Sequence, residues 1–484
     1  MDESYSFPGG KTLVAMLNDS KEKSGQAMLA LASSKACVFD LEGGKLVSFP
    51  MDISPKGMRL IVFEAAYNPP KTTLIENPMA MQPIASEKII FTSPSPEDVY
   101  CFSPDILALP SGRLLASMDL GGPGVVNVPG PRCNWGDWGL GNQCRVLASD
   151  DGGDNWRELA RLPLYHARFL VDGTRIYLLG HIKGIVITAS DDQGENWSEV
   201  QDLGFPGAWH QGVGAYHCEN GFLYLTMEPR TGAPWPGVAL AVLRASLGTD
   251  LLRPENWIIS NTLFYPSELP STLGIPFYHP GFLDPEHKER FYGPPCFLES
   301  HVVKIREQSH NLYEESTVHI WMRQHTGMTN IAAIAKCRDL GDSLELGLVK
   351  SPAGAPMLHV PCPGGHMKFH LAYDEVSRLY WLVSTQATDS MTRPGLLPED
   401  RYGLPDNERH RLALHFSRNL FDWCFAGMVA IGRTPKCSRH YASMTIRGDD
   451  LLILSRSGDE NAKSAHNGNL ITLHTIRNFR RLVY

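Results

Sequence analysis

Short apolar runs separated by turn residues set the rhythm of this chain. They recur at 12–17 (TLVAML), 59–64 (RLIVFE), 113–118 (RLLASM), 175–180 (RIYLLG), 222–227 (FLYLTM), 318–323 (VHIWMR), 379–384 (LYWLVS) and 450–455 (DLLILS). Most follow Gly, Asp, Asn or Ser, and few stretches sustain a helical period. This pattern predicts meandering strands in an all-β fold. Alone, it does not separate a sandwich from a barrel or a propeller.

An internal repeat separates them. SDDGGDNW at 149–156 and SDDQGENW at 190–197 both fit S-x-D-x-G-x-x-W, and Trp156 and Trp197 are 41 residues apart. That period is about one four-stranded propeller blade. The motif has a local physical basis. Ser and Asp side chains bond to the backbone of a turn between two strands, Gly takes a dihedral that other residues avoid, and Trp plugs between sheets. SRNLFDW at 417–423 reads as a degenerate third copy, shorter by one residue. Residues 1–90 hold strands but no such motif, so they form a β-rich N-terminal region that supplies a blade or a ring-closing strand; the propeller takes 91–484. Gly-, Pro- and charge-rich segments at 121–145 and 386–410 are expected rims of a site.

Composition sets the class. The 484 residues are 43% hydrophobic and 20% charged, enough to bury a sizeable core. A net charge of −8 excludes a generally basic nucleic-acid binder. Residues 1–30 lack a basic segment followed by an apolar one, and no apolar run reaches membrane-spanning length. The expectation is a cytoplasmic chain without a membrane partner. Ten cysteines form no CxxC pair, which points to buried thiols and no metal ribbon. GGPG at 121–124 lacks the Lys of a phosphate loop, and no cofactor is expected.

The repeated octamer resembles the Asp-box of sialidases and related BNR-repeat proteins. That resemblance implies a six-bladed β-propeller of sialidase type, and extends over roughly residues 95–480. CFLESHVVKI at 296–305 followed by VHIWMRQ at 318–324 is similar to the sialidase hairpin, with Glu299 as general base and Arg323 as one arm of an arginine cluster. RHYASMTIRGDDLLILSR at 439–456 resembles the strand of the nucleophilic tyrosine, which places Tyr441 in that role. A neutral tyrosine primed by a glutamate avoids the repulsion that a carboxylate nucleophile meets at an anomeric carbon bearing its own carboxylate. NERHRLALHFSRNLFDW at 407–423 offers Arg409, or Arg411 two residues on, to bind a substrate carboxylate.

One position departs from the family. Where sialidases carry an Arg-Ile-Pro motif, YCFSPDILALP at 100–110 has Phe102, followed by Asp105 after Pro104. One arginine arm is missing at that point. Three aspartates compete for the general acid: Asp119, Asp105, and Asp137 between Trp135 and Trp138. Flanking indoles could desolvate a carboxyl and suit it to donate a proton. Each could equally stabilise a turn. His210, His366 and Trp135 are candidate substrate contacts, and His166, His217, His301 and His370 fall near loops as well.

Three functions compete. The resemblance favours an exo-acting glycoside hydrolase that cleaves a terminal acidic sugar, an α-linked sialic acid, from a glycan. A uronic-acid polysaccharide lyase on a similar propeller fits the His-rich loops. A non-catalytic carbohydrate-binding propeller is the third, because fold does not define function.

Overall fold

The computed structural model describes residues 82–134, 141–232, 237–266, 296–324, 330–388 and 408–484, and, before residue 82, the strand backbones alone. The chain divides into two units, Met1–Met81 and Gln82–Tyr484. In the first, an antiparallel sheet runs Asp2–Phe7, Lys11–Leu17, Met58–Phe63, Val38–Asp40, Lys45–Leu46 in spatial order.

The second unit is an all-β, six-bladed propeller. Blade one runs outward from Tyr100–Ala108 through Leu114–Gly121 and Gln143–Ser149 to Arg157–Leu162. Blade two is Tyr165–Asp172, Arg175–His181, Ile185–Ser190 and Gln201–Asp202. Blade three has a split inner strand, Trp209–His210 and His217–Glu219, followed by Phe222–Pro229, Ala241–Ser246 and Trp257–Ile259. Blade four is Phe297–Val303, Thr317–Gln324, Ile331–Asp339 and Leu344–Gly347; blade five is His370–Asp374, Leu379–Thr385, Arg411–Ser417 and Cys424–Ile431. Blade six is Arg439–Arg447, Asp450–Ser457 and Leu470–Ile476, and its outer strand, Ser86–Thr92, comes from before blade one. The unit boundary at Met81 thus precedes this closing strand, which falls largely within the segment 1–90 that the sequence sets apart.

Packing closes the ring. An apolar cluster fills each junction: blades one and two, two and three, three and four, four and five, five and six, and six and one. The second strand of every blade is buried nearly end to end, because it has neighbours on both edges and both faces. Six of the eight apolar runs read from the sequence are these strands.

The Asp-boxes join third to fourth strands. Ser149 Oγ accepts the Gly153 N–H at 2.9 Å, Asp151 accepts the Asn155 N–H at 2.8 Å, and Trp156 Nε1 donates to the Gly153 carbonyl at 3.1 Å. Ser190, Asp192, Gly194 and Trp197 repeat this with nearly equal distances. In the short copy Ser417 Oγ accepts the Leu420 N–H, and Leu420 takes φ 67° where the octamers place Gly153 and Gly194. All three turns follow the far ends of third strands, opposite the mouth described next. The nine described cysteines are free, and no helix among the described residues is long and apolar enough to cross a membrane.

Candidate functional site

One backbone irregularity recurs in four blades with identical register. The residue paired with the end of the second strand is Phe102 opposite Asp119, Tyr165 opposite His181, Leu298 opposite Arg323, and His440 opposite Arg456. A two-residue bulge follows in each first strand: Ser103–Pro104, His166–Ala167, Glu299–Ser300 and Tyr441–Ala442. The first bulge residue always has positive φ: Ser103 36°, His166 51°, Glu299 54°, Tyr441 50°. Non-glycine residues avoid this region, and bulges there re-aim side chains beside active sites.

The strain is held by the preceding blade. Ser443 Oγ of blade six donates to the Pro104 carbonyl at 2.9 Å, and Ser117 Oγ of blade one to Ala167 at 2.8 Å. Thr226 Oγ1 of blade three donates to Ser300 at 3.0 Å, and Lys368 Nζ, just before blade five, to Ala442 at 2.6 Å. Two bulge N–H groups find carboxylates: His166 donates to Asp119 at 3.0 Å and Ser300 to Glu228 at 3.1 Å. Every bulge is thereby satisfied from a neighbouring blade. Blade three's loop presses on Glu299 so closely that a Cβ on Gly212 would lie 2.8 Å from its Cγ, and one on Gly214 2.0 Å from the Ser300 carbonyl.

Glu299, Tyr441 and Arg323 meet at the mouth, all buried. Arg323 Nη1 donates to Tyr441 Oη at 2.8 Å and to Glu299 Oε2 at 3.2 Å, and Arg323 Nε donates to the His366 carbonyl at 2.8 Å. Glu299 and Tyr441 are therefore bridged by one guanidinium nitrogen rather than bonded directly. His366 contributes its backbone to this contact.

Two more guanidinia flank the phenol. Arg409 lies 5.5 Å from the Tyr441 ring centroid and Arg456 5.1 Å. Arg409 Nη1 donates to His440 Nδ1 at 3.1 Å, and Arg456 Nη2 to His466 Nδ1 at 3.2 Å. Burial and these neighbouring cations hold both imidazoles well below their ordinary pKa, so neither adds a charge, and His466 Nδ1 also lies 2.8 Å from Asn467 Oδ1. Neither arginine has a carboxylate partner among the described residues, and the Nε of each is buried without a hydrogen bond. Desolvation brings the Arg456 guanidinium down to about 10. Buried cations without anions are costly, and an anionic group between these two would offset that cost.

Arg456 packs against Phe102. Its guanidinium stacks on the Phe102 ring at 4.0 Å. A third arginine thus reaches the cluster from the second strand of blade six, on an aromatic bed laid by blade one. Its signal was present in the sequence: Arg456 closes the strand after Tyr441 as Arg323 closes the strand after Glu299.

Asp119 ends the second strand of blade one, in the register that holds Arg323 and Arg456 elsewhere. Burial raises its pKa well above the carboxylate range, against the pull of the His166 N–H and Arg456. One of its oxygens has no hydrogen-bond partner. Asp105 follows the bulge of blade one, accepts the Phe169 N–H at 2.9 Å, and is raised by burial to about 6. Lys368 and Arg168 act electrostatically on Asp105, and burial brings the Lys368 ammonium down to about 8. Asp137 and Trp135 lie outside the described residues. Arg411 stands apart: it is half-buried and donates to Glu408 at 3.1 Å and Thr388 at 3.2 Å.

A separate polar group occupies blades two and three. His166, His181 and His210 are buried with ring centroids 5.3–5.5 Å apart. Their ligand-capable nitrogens all lie within 4.8 Å of one another. His210 Nδ1 donates to Glu228 Oε2 at 2.6 Å, and His166 Nδ1 to the Gln211 carbonyl at 2.5 Å. Sequence reasoning singled out His166 and His210 separately, missed His181, and gave no sign of their convergence.

No family model matches the chain, and no curated protein does. Among solved structures, a mutant of Trypanosoma rangeli sialidase displaying trans-sialidase activity is 13% identical, with a TM-score of 0.48 over 83% of this chain and 60% of that one. This chain thus spans about 60% of that protein's length. A Penicillium chrysogenum α-L-arabinanase complexed with arabinobiose is 13% identical, with a TM-score of 0.46 over 82% of this chain and 99% of that one. A mutant of NanB sialidase from Streptococcus pneumoniae is 12% identical, with a TM-score of 0.47 over 96% of this chain and 83% of that one.

Proposed function

We propose that the propeller is an exo-acting glycoside hydrolase that cleaves a terminal acidic sugar, an α-linked sialic acid, from glycoconjugates. One observation carries the reading: Tyr441 sits among three buried guanidinia, two of them without a carboxylate partner among the described residues. A sugar carboxylate supplies the missing anion, and planar guanidinia bind it bidentately.

Arg409 and Arg456 hold the carboxylate and so bring the anomeric carbon over Tyr441. The phenol oxygen bonds to that carbon as the glycosidic C–O bond breaks. Its proton passes to Glu299, held beside the phenol by their shared Arg323 Nη1, as substrate binding closes the remaining gap, and the N–H from Arg323 stabilises the developing phenolate. Asp119, kept protonated by burial, gives its proton to the leaving oxygen. In the second step the Asp119 carboxylate takes a proton from water, whose oxygen displaces Tyr441, and the phenolate recovers its proton from Glu299. The configuration at the anomeric carbon is retained.

The test is fluorophore release from an aryl α-sialoside by the wild type, Tyr441→Phe and Glu299→Gln. The reading requires an active wild type and folded variants that lose most of the rate. The buried imidazoles of blades two and three favour one competitor, β-elimination from a uronate with a histidine base. An inactive wild type on sialosides that releases ultraviolet-absorbing unsaturated uronides would establish that alternative.

A further inference from the structure

We infer that His166, His181 and His210 form a binding site for one divalent transition-metal ion of the zinc or cobalt type, with Glu228 and the Gln211 carbonyl as its outer shell. The inference goes beyond the glycosidase reading and does not depend on it.

Ring geometry is the first support. Three imidazoles stand edge to face or tilted, at 55–86° to one another, around a common centre. A hydrophobic histidine cluster has no reason to place one nitrogen from each ring within 4.8 Å of the others. In a tetrahedral site with metal–nitrogen bonds of about 2 Å, ligand nitrogens are roughly 3.3 Å apart. Rotations about the side-chain bonds that bring each nitrogen inward by less than about 1 Å complete that geometry.

Tautomer control is the second. A metal-binding imidazole characteristically donates its other N–H to a carboxylate or a backbone carbonyl, which fixes the ring and raises its basicity. His210 does so to Glu228 at 2.6 Å and His166 to Gln211 at 2.5 Å. Each therefore presents Nε2 as the lone-pair atom. His181 Nδ1 faces the Ile182 carbonyl at 3.4 Å, a longer contact of the same kind. Glu228 is itself anchored by the N–H and hydroxyl of Ser300, at 3.1 and 3.2 Å.

A rigid frame is the third: His166 is the first bulge residue of blade two, and His181 ends the next strand in the register that holds Arg323 in blade four. Three imidazoles leave a fourth tetrahedral position for water or a substrate oxygen, the arrangement of catalytic rather than structural sites.

The experiment uses the full chain, stripped with chelator and titrated with CoCl₂ and ZnCl₂. The expected result is one equivalent of Co²⁺ with visible bands of a nitrogen-ligated tetrahedral ion, displaced by Zn²⁺. His181→Ala and His210→Ala, checked for folding by circular dichroism, should weaken binding at least about 100-fold, and Glu228→Gln about 10-fold. The wild-type spectrum stands even if a variant fails to fold. Absence of stoichiometric uptake overturns the site, as do thiolate charge-transfer bands or unchanged affinity in folded histidine variants. None of these readouts involves glycosidase activity, so the two proposals fail separately.

Discussion

Blades four and six carry the same hairpin with different contents. In each, the first strand carries a bulge residue with positive φ and its partner strand an arginine near its end: Glu299 with Arg323, Tyr441 with Arg456. In blade four the arginine meets its own hairpin's carboxylate at 3.2 Å. In blade six the bulge residue is a neutral phenol, and the arginine stacks on Phe102 of blade one instead. One hairpin is electrically complete and the other is not. Identical backbone geometry thus gives a self-satisfied ion pair in one place and a waiting cation in another. The difference teaches that the propeller supplies positions, whereas charge balance decides which positions await a ligand.

Removing the phenol is the harshest way to break this comparison. Tyr441→Phe should lower kcat/KM on an aryl sialoside by about 10³-fold or more with an unchanged melting temperature, since the oxygen that attacks is lost and the ring remains. Exchanging the arginines should give stability changes of opposite sign. Arg323→Met leaves Glu299 buried and alone, and should cost about 3–5 kcal/mol in urea unfolding. Arg456→Met removes a cation that has no anion in the free protein, and should be neutral or slightly stabilising. The same substitution should weaken binding of an acidic sugar by about 30-fold or more, because it strips a buried charge pair from the complex. Equal destabilisation by both changes would falsify the contrast.

Acidity sharpens it further. Asp105 titrates near 6 in the folded chain, above its ordinary value, because burial disfavours the carboxylate. The folded state therefore holds a proton that the unfolded state has released, and Asp105 withdraws stability as pH rises from about 4 through 6. Asp105→Asn, which keeps the acceptor for the Phe169 N–H, should remove that slope and add about 3 kcal/mol near neutrality, read as the urea midpoint against pH. The buried histidines act in the opposite direction. His166, His181, His440 and His466 sit well below the usual imidazole value, so stability falls as pH drops below about 6.5, where only the unfolded state takes up protons. The smallest effect belongs to Arg411→Ala. Its pair with Glu408 lies outside the cluster, so kinetics should not change; Glu408 is buried but keeps the Thr388 N–H and hydroxyl, so stability should fall by only about 1 kcal/mol.

Strands were the most legible part of the molecule. The second strand of each blade is buried on both faces and so appears as an unbroken apolar run, and the two Asp-boxes fix the blade period. Inner strands were harder to read, because they mix channel-facing polar residues with bulges that shift the alternation. The Glu299–Arg323 pairing was visible because two strands of one hairpin bring it together. Arg456 was overlooked for a physical reason: it reaches Phe102 across the junction of the last and first blades, some 350 residues apart in sequence. The histidine triad likewise needs two blades at once. Pairing within a hairpin is local, whereas contacts across a blade junction depend on the rotation between sheets, which the alternation of residues does not encode.

The closing strand has a consequence for biosynthesis. Ser86–Thr92 leaves the ribosome long before Leu470–Ile476, its only strand partner among the described residues. During that interval it offers an open edge to any extended chain nearby, the kind of template that seeds misassembly. Tyr441, Arg456 and Leu470–Ile476 all follow blades one to five along the chain. A truncated product would therefore hold blades one to five and most of the polar mouth while lacking the phenol, and a nascent chain would acquire its reactive group only once its exposed edge could also be sealed.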